Sequence, residues 1–249
     1  MEVCIDSVAS ARNAELGGAE KVELCANLME GGTTPTLGML KIIKQNIKIP
    51  VFVMIRPRGG DFLYDDDEFE VMKQDIIEFK KVKADGFVFG ILKIDGTVDV
   101  ERCAELLGMI RPFPATFHRA IDMCMKPLIE LDDIIKLGFE RVLTSGGAQT
   151  ALDGAPLIRE MVSKAAARII VMPGGGINSN NIDRILLQTG AKEFHCSARS
   201  SSSSLMNHRK EGISMGASLS PPEFTVKVTD SKKVQQLVEM ATSIWDCGQ

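Results

Sequence analysis

The chain has 249 residues, of which 45% are hydrophobic, and a formal net charge of -4. It lacks the basic stripe that a nucleic-acid partner requires, and no apolar run approaches the roughly 20 residues of a membrane span. Its first residues also lack the basic and apolar regions of a secretory signal, so we expect a cytoplasmic or nuclear protein. The six cysteines are not clustered, which is typical of free thiols in a reducing compartment.

Short β-rich segments alternate with helix-length segments along the whole chain. Three helical segments end in glycine just before the next strand, at Gly17-Gly18, Gly138 and Gly190, where a left-handed residue can close a helix. Eight repeated strand-helix units with parallel strands predict one (β/α)₈ TIM barrel, a single α/β domain over residues 1–249. The predicted strands are Glu2 to Asp6, Lys21 to Cys25, Val51 to Arg56, Gly86 to Gly90, Ala115 to Arg119, Arg141 to Thr144, Ile169 to Met172 and Glu193 to Ser197.

A doubly wound open sheet is the alternative fold. It usually has fewer strands and a glycine fingerprint after the first, where this chain has Asp6-Ser7-Val8-Ala9. After the last strand we expect a long final loop over about 198–230, with a mobile serine run at Ser200 to Ser204. A closing C-terminal helix is predicted over 231–246, because apolar residues recur there at helical spacing from Val234 to Ile244.

Polar residues are frequent where the predicted strands end, which is where barrels of this class build their sites. Because alternate residues of a strand share a face, Cys4, Glu23, Arg56, His118 and His195 are predicted to point into the barrel. Such an interior is typical of a binding site for a polar ligand, since unpaired buried charges are costly. The structural alternative for any one of these residues is an ion pair at the barrel mouth.

Two regions of the predicted barrel mouth are suited to an anion. The loop after strand 3 couples two guanidinium groups with flexible glycines. The turn after strand 7 is glycine-rich and precedes a helix, and a serine and an arginine follow strand 8, where barrels often bind phosphate. A tight turn also requires glycines without any ligand. The predicted anion-binding residues are Arg56, Arg58, Gly175, Gly176, Ser197 and Arg199.

Two cysteines suggest a different chemistry. Cys4 and Cys25 lie on adjacent predicted strands, and the alternation places both on the inward face. Neighbouring strands are about 4.8 Å apart, so two interior thiolates could bind a soft cation such as Cu(I). The alternative is that both are small buried hydrophobic residues. A closed zinc site is disfavoured, because four ligands at short spacing are absent from the sequence.

Long motifs across nearly the whole chain resemble the CutC family of copper-homeostasis proteins. The motifs are Val22-Glu23-Leu24-Cys25, Glu30-Gly31-Gly32-Thr33-Thr34-Pro35, Ile55-Arg56-Pro57-Arg58-Gly59-Gly60-Asp61-Phe62, Thr116-Phe117-His118-Arg119-Ala120, Arg141-Val142-Leu143-Thr144-Ser145-Gly146 and His195-Cys196-Ser197-Ala198. The resemblance implies a TIM barrel, a cytoplasmic location with nuclear presence in eukaryotic members, a homo-oligomer such as a dimer or tetramer, and a Cu(I)-binding role.

Two functional hypotheses follow. The first is copper handling, with Cu(I) bound by Cys4 and Cys25 and no turnover. The second is an enzyme acting on a small phosphorylated or carboxylated metabolite, with His118 or His195 as general acid or base and Glu23 as its partner. The resemblance ranks copper handling first, whereas residue chemistry alone favours the enzyme.

Overall fold

The structure, a computed structural model, describes residues 1–210, 212–213 and 223–247. Ten strands alternate with eight α-helices in this part of the chain. The strands are β1 Glu2–Ile5, β2 Lys21–Leu24, β3 Val51–Met54, β4 Gly86–Phe89, β5 Ala115–Phe117, β6 Arg141–Thr144, β7 Ile170–Pro173, β8 His195–Cys196, β9 Arg199–Ser203 and β10 Thr225–Thr229. The helices are α1 Val8–Leu16, α2 Leu37–Asn46, α3 Asp66–Lys81, α4 Val100–Ile110, α5 Pro127–Leu137, α6 Ala155–Ala165, α7 Ile182–Thr189 and α8 Ser231–Cys247.

Strands β1 to β8 form one parallel sheet in the order β7, β6, β5, β4, β3, β2, β1, β8. A parallel bridge between Gly174 and His195 joins the two ends of this order and completes the ring. The predicted (β/α)₈ barrel is therefore confirmed, and the doubly wound open sheet is excluded. Strand β8 has two residues, so few backbone hydrogen bonds hold the seam on either side of it.

The two faces of strand β3 pack into different hydrophobic clusters, as the predicted alternation requires. On β3, Val51 and Val53 join the large cluster between strands and helices. Phe52 and Met54 belong instead to a small cluster inside the barrel, together with Cys25 and Val88. Most apolar burial thus lies outside the barrel wall, and the interior is left with room for polar groups.

Glycines close several helices, as the sequence predicts. Gly138 has φ 91° at the end of α5 and Gly190 has φ 70° at the end of α7. Gly18, after α1, has φ 90°. These angles are strained for residues with a Cβ atom, so the three positions favour glycine. Among the described residues, none of the helices is both long and apolar enough to cross a lipid bilayer.

The serine run after β8 is a strand, so the prediction of a mobile loop at Ser200 to Ser204 is wrong for most of its length. Strand β9 pairs antiparallel with β10, with Arg199 opposite Thr229 and Ser203 opposite Thr225. Serine has a weak strand preference, and the partner strand lies more than 20 residues away, so the local pattern does not reveal the pairing. The predicted loop at about 198–230 therefore has a strand at each end, and its residues 211 and 214–222 lie outside the described residues.

We expect the substitution Gly154→Ala, at the start of α6, to destabilise the fold by about 3 kcal/mol. A Cβ atom there would lie 1.9 Å from the backbone oxygen of Ser145, which a side-chain rotation cannot relieve. At Gly108, in α4, an added Cβ atom would meet nothing within 4 Å. Gly108→Ala is the matched control and should stabilise by about 0.5 to 1 kcal/mol, because alanine is the better helix former. Urea unfolding of both variants measures the difference, and equal stabilities would contradict the prediction.

Candidate functional site

A cavity of about 530 Å³ opens at the C-terminal ends of the barrel strands. Nine of the residues predicted from the sequence line it. They are Cys4, Glu23, Arg56, His118, Gly175, Gly176, His195, Ser197 and Arg199. The predicted residues Arg58 and Cys25 are not part of this lining. The cavity therefore brings most of the predicted site together and leaves two members outside.

Cys4, Glu23 and His195 form a compact group of potential metal ligands in the cavity. One ligand atom from each lies within 4.8 Å of the other two. The strand register explains this, because Cys4 on β1 lies opposite Glu23 on β2, and Glu2 on β1 lies opposite His195 on β8. All these side chains share the inward face of neighbouring strands. We call Cys4, Glu23 and His195 the floor cluster.

Glu2 orients the imidazole of His195 within the floor cluster. Its Oε1 atom lies 2.8 Å from His195 Nδ1, and its side chain is fully buried. His195 Nε2 therefore points the other way and lies 3.6 Å from Glu23 Oε2. Glu2 is not among the site residues predicted from the sequence, although the alternation of Glu2, Cys4 and Asp6 on the inward face was the signal that could have found it.

Burial and the charges of the floor cluster shift the pKa values of His195 and Glu23. Burial alone would lower the pKa of His195, but the negative charges of Cys4 and Glu23 and the hydrogen bonds to Cys4 and Glu2 raise it well above the usual value. Burial raises the pKa of Glu23, against the opposing effect of the His195 charge. His195 is therefore the cationic member of this group at neutral pH.

Cys25 lies beside the floor cluster and is not one of its members. Its Sγ atom donates a hydrogen bond to Glu23 Oε2 at 3.4 Å. Burial and the Glu23 charge raise the pKa of this thiol well above its ordinary value. The register places Glu23, not Cys25, directly opposite Cys4, and the Cys4 charge contributes to the raised pKa of Cys25. The predicted pairing of Cys4 with Cys25 stays a prediction.

Arg56 is a buried cation in the cavity wall. Its Nη1 atom donates to the carbonyl oxygens of Glu30 and Gly32, and its Nη2 atom donates to that of Gly60, each at 2.8 Å. The guanidinium also lies over the ring of Phe62, 5.0 Å from the ring centroid. Loops after β2 and β3 are thus joined by one side chain.

His118 is a neutral hydrogen-bond donor in the same wall. Its Nδ1 atom accepts a hydrogen bond from the backbone N–H of Ala120 at 3.3 Å, so the ring proton is on Nε2. Burial, together with the positive charge of Arg56, lowers the pKa of His118 to about 3. Nε2 is buried and has no hydrogen-bond partner among the described residues. The ring packs against Phe62, with centroids 4.8 Å apart.

Comparison with known proteins identifies the family. The chain matches the family model described as the CutC family over residues 1–200. This chain belongs to the CutC family. It is 57% identical over 244 residues to a protein of Homo sapiens named copper homeostasis protein cutC homolog, covering 98% of this chain and 89% of that one. A CutC family protein of Parabacteroides distasonis is 47% identical, and the match covers 96% of this chain and 98% of the relative.

Solved structures agree with this family and with the barrel. A CutC crystal structure from Streptococcus agalactiae superposes with a TM-score of 0.75 at 34% identity, covering 79% of this chain and 97% of that chain. A thiamine phosphate pyrophosphorylase of Pyrococcus furiosus superposes with a TM-score of 0.57 over 98% of this chain and 95% of that chain. That second protein is 18% identical, so the similarity shows a shared fold alone.

Arg58 does not share the position of Arg56 in this CutC family member. It forms ion pairs with Glu68 at 2.5 Å and Asp61 at 3.1 Å, and its guanidinium lies over the ring of Tyr64. Strand β3 ends at Met54, so the alternation of side chains does not continue past the proline between the two arginines. Arg58, which the sequence predicts to bind an anion together with Arg56, therefore lies outside the cavity lining.

The two other arginines that line the cavity have carboxylate partners. Arg119 pairs with Asp122 at 2.7 Å, and Arg199 pairs with Asp6 at 3.3 Å. Asp122 also accepts hydrogen bonds from the loop after β6, including one from the backbone N–H of Ser145 at 2.9 Å. These pairs stabilise the rim of the cavity and leave their charges compensated.

We expect Glu2→Gln to lower the pKa of His195, because the substitution removes a carboxylate that bonds to the protonated ring. The matched control is Glu20→Gln, which changes an exposed carboxylate paired with the N-terminus. A titration of imidazole NMR signals measures the pKa in both variants. An unchanged His195 pKa in Glu2→Gln would contradict the assigned hydrogen bond.

Proposed function

We propose that this protein handles copper by binding Cu(I) at the floor cluster, through Cys4 Sγ and His195 Nε2 with the Glu23 carboxylate beside them. The observation that carries the proposal is the convergence of these three side chains within 4.8 Å. Thiolate and imidazole are donors that suit copper. Relatives from Homo sapiens and Mus musculus are named copper homeostasis proteins, which supports the same role here.

The surroundings of His195 support its part in this proposal. Histidine ligands of metal ions usually donate their second ring nitrogen to a carboxylate or carbonyl, which fixes the tautomer and the ring orientation. Glu2 provides such a carboxylate at 2.8 Å from Nδ1, and Nε2 faces the other members of the floor cluster. Cys4 is only half-buried, so an ion that enters the cavity can reach its thiol.

Cys25 has a secondary part in the proposed site. Its thiol shares the oxygen Glu23 Oε2 with His195, so it is close enough to join a bound ion after a small movement. Burial raises the pKa of this thiol, and a thiol must lose its proton to bind a metal. We therefore place Cys4 first and Cys25 second among the sulfur ligands.

We also infer that the protein acts in the cytoplasm, with a nuclear pool, as a homo-oligomer of two or four copies. The five described cysteines are all free, which suits a reducing compartment and a thiol-based copper site. The β9–β10 hairpin and the segment after β9 expose apolar side chains, with Leu205 98%, Met206 60% and Val226 49% exposed. Exposed apolar groups of this kind favour association of copies.

We expect Cys4→Ser to weaken Cu(I) binding by at least about 100-fold, since loss of even an outer-shell partner costs roughly 10–100-fold in metal affinity. Cys25→Ser should cost less than about tenfold, because that thiol is protonated in the free protein. Competition titrations against a Cu(I) chelator under anaerobic conditions measure both affinities. Cys103→Ser, in the buried outer core on α4, is the matched control and should bind like the wild type.

Two results would contradict this assignment. Equal losses in Cys4→Ser and Cys25→Ser would replace the floor cluster with a two-thiolate site. Tighter binding of Zn(II) than of Cu(I), measured by the same competition, would show that the site prefers zinc, which also accepts cysteine, histidine and carboxylate ligands.

Cu(I) affinity should rise with pH by about tenfold per unit around neutrality, because His195 must lose one proton before it can bind the ion. The raised pKa of His195 keeps the ring protonated at neutral pH, so protons compete with the metal and the affinity falls as the pH is lowered. Chelator competition at several pH values measures the slope. An affinity that does not change with pH would exclude His195 as a ligand.

A further inference from the structure

The buried charge of Arg56 is not matched by a carboxylate. The side chain is 5% exposed, and none of the described acidic residues forms an ion pair with it. The nearby Tyr64 hydroxyl, whose pKa burial raises to about 12, is neutral and brings no negative charge. Removing a cation from water without a counterion is costly, so this position calls for an anion from outside the chain.

Hydrogen bonding of the guanidinium leads to the same requirement. Arginine has five N–H donors, and three of them are used by the carbonyl oxygens of Glu30, Gly32 and Gly60. Of the remaining two, the buried Nε–H has no acceptor among the described residues. Carbonyl oxygens carry no net charge, so they fix the orientation of the group and leave its charge available.

The other cationic groups of the cavity are already paired with carboxylates. Arg119 and Arg199 face Asp122 and Asp6. On the floor, His195 lies between two carboxylates, 2.8 Å from Glu2 and 3.6 Å from Glu23. Within the described residues, Arg56 is the cavity arginine whose charge remains to be compensated.

His118 supplies a second donor beside Arg56. His118 lines the cavity, and its buried Nε2–H lacks an acceptor among the described residues. Both side chains pack on the same Phe62 ring, at 5.0 Å for the guanidinium carbon and 4.8 Å for the imidazole. Both residues line the cavity, and the Arg56 charge is close enough to His118 to help lower the pKa of its imidazole.

We propose that Arg56 and His118 bind the carboxylate of a small organic acid inside the barrel cavity. A carboxylate brings one negative charge and two oxygens, which matches one uncompensated cation and the adjacent neutral donor. A phosphate dianion would bring a second charge without a second unpaired cation. Apolar side chains of Phe62, Met54 and Ile177 in the same lining contact the organic part of the ligand. A volume of about 530 Å³ suits a small molecule.

This site goes beyond the copper proposal and does not depend on it. It also narrows the anion-binding set predicted from the sequence from six residues to one of them, Arg56, with His118 added as a donor. Arg58 is excluded, because its charge is compensated by Glu68 and Asp61.

The test uses sodium propionate as the probe, in protein labelled with ¹⁵N at histidine. We expect a saturable shift of the His118 Nε2–H signal in the wild type, at affinities of about 1 mM. Calorimetry then compares variants. Arg56→Gln should weaken binding about tenfold or more, because a charged hydrogen bond is lost, and His118→Phe should weaken it several-fold while the ring packing is kept. Arg119→Gln is the control from the same cavity and should bind within about twofold of the wild type.

Several outcomes would overturn the proposal. Propionamide binding as tightly as propionate would show that charge is not recognised. Inorganic phosphate binding more tightly than propionate, with the same dependence on Arg56, would replace the carboxylate with a phosphate. Unchanged propionate affinity in Arg56→Gln would remove this arginine from the site. If Arg56→Gln does not fold because its carbonyl contacts are lost, an unchanged propionate affinity in His118→Phe overturns the proposal.

Discussion

The hydrogen bond between Glu2 and His195 is the interaction on which both the barrel and its site depend. It joins β1 to β8 at the seam of the sheet, where β8 has only two residues and the next contact, toward β7, is a single bridge. The same bond turns His195 Nε2 toward Cys4 and Glu23. A carboxylate this deeply buried would be unfavourable without its partner, and the one contact both joins β1 to β8 and orients the imidazole.

The cavity above this bond has two chemically different ends. The floor cluster offers a sulfur, a nitrogen and a carboxylate oxygen, whereas the wall at Arg56 and His118 offers only donors. A metal cation and an organic anion therefore need not compete for the same atoms. The sequence presents these features as rival functions, but in the folded chain different residues that line one cavity carry them.

Much of this arrangement could be predicted from the sequence, because a parallel barrel obeys simple rules. Strand alternation places Cys4, Glu23, Arg56, His118 and His195 inward, and all five line the cavity. Register along the strands is not visible in the pattern, and it is register that sets Glu23 rather than Cys25 opposite Cys4. The alternation of side chains also does not continue beyond the end of a strand, so it does not show that Arg58 lies outside the cavity lining. The β9–β10 hairpin depends on a distant partner, which local propensity does not encode.

The position of the floor cluster across the seam has a mechanical consequence. Cys4 belongs to the first strand of the barrel and His195 to the last. An ion bound by both would therefore link β1 to β8 across the most weakly paired part of the wall. Part of its binding free energy would then be available to resist opening of the ring, as for any ligand that binds only the folded state. Binding of an ion in the cavity would in this way stabilise the contact between the first and last strands, which are far apart in sequence and adjacent in space.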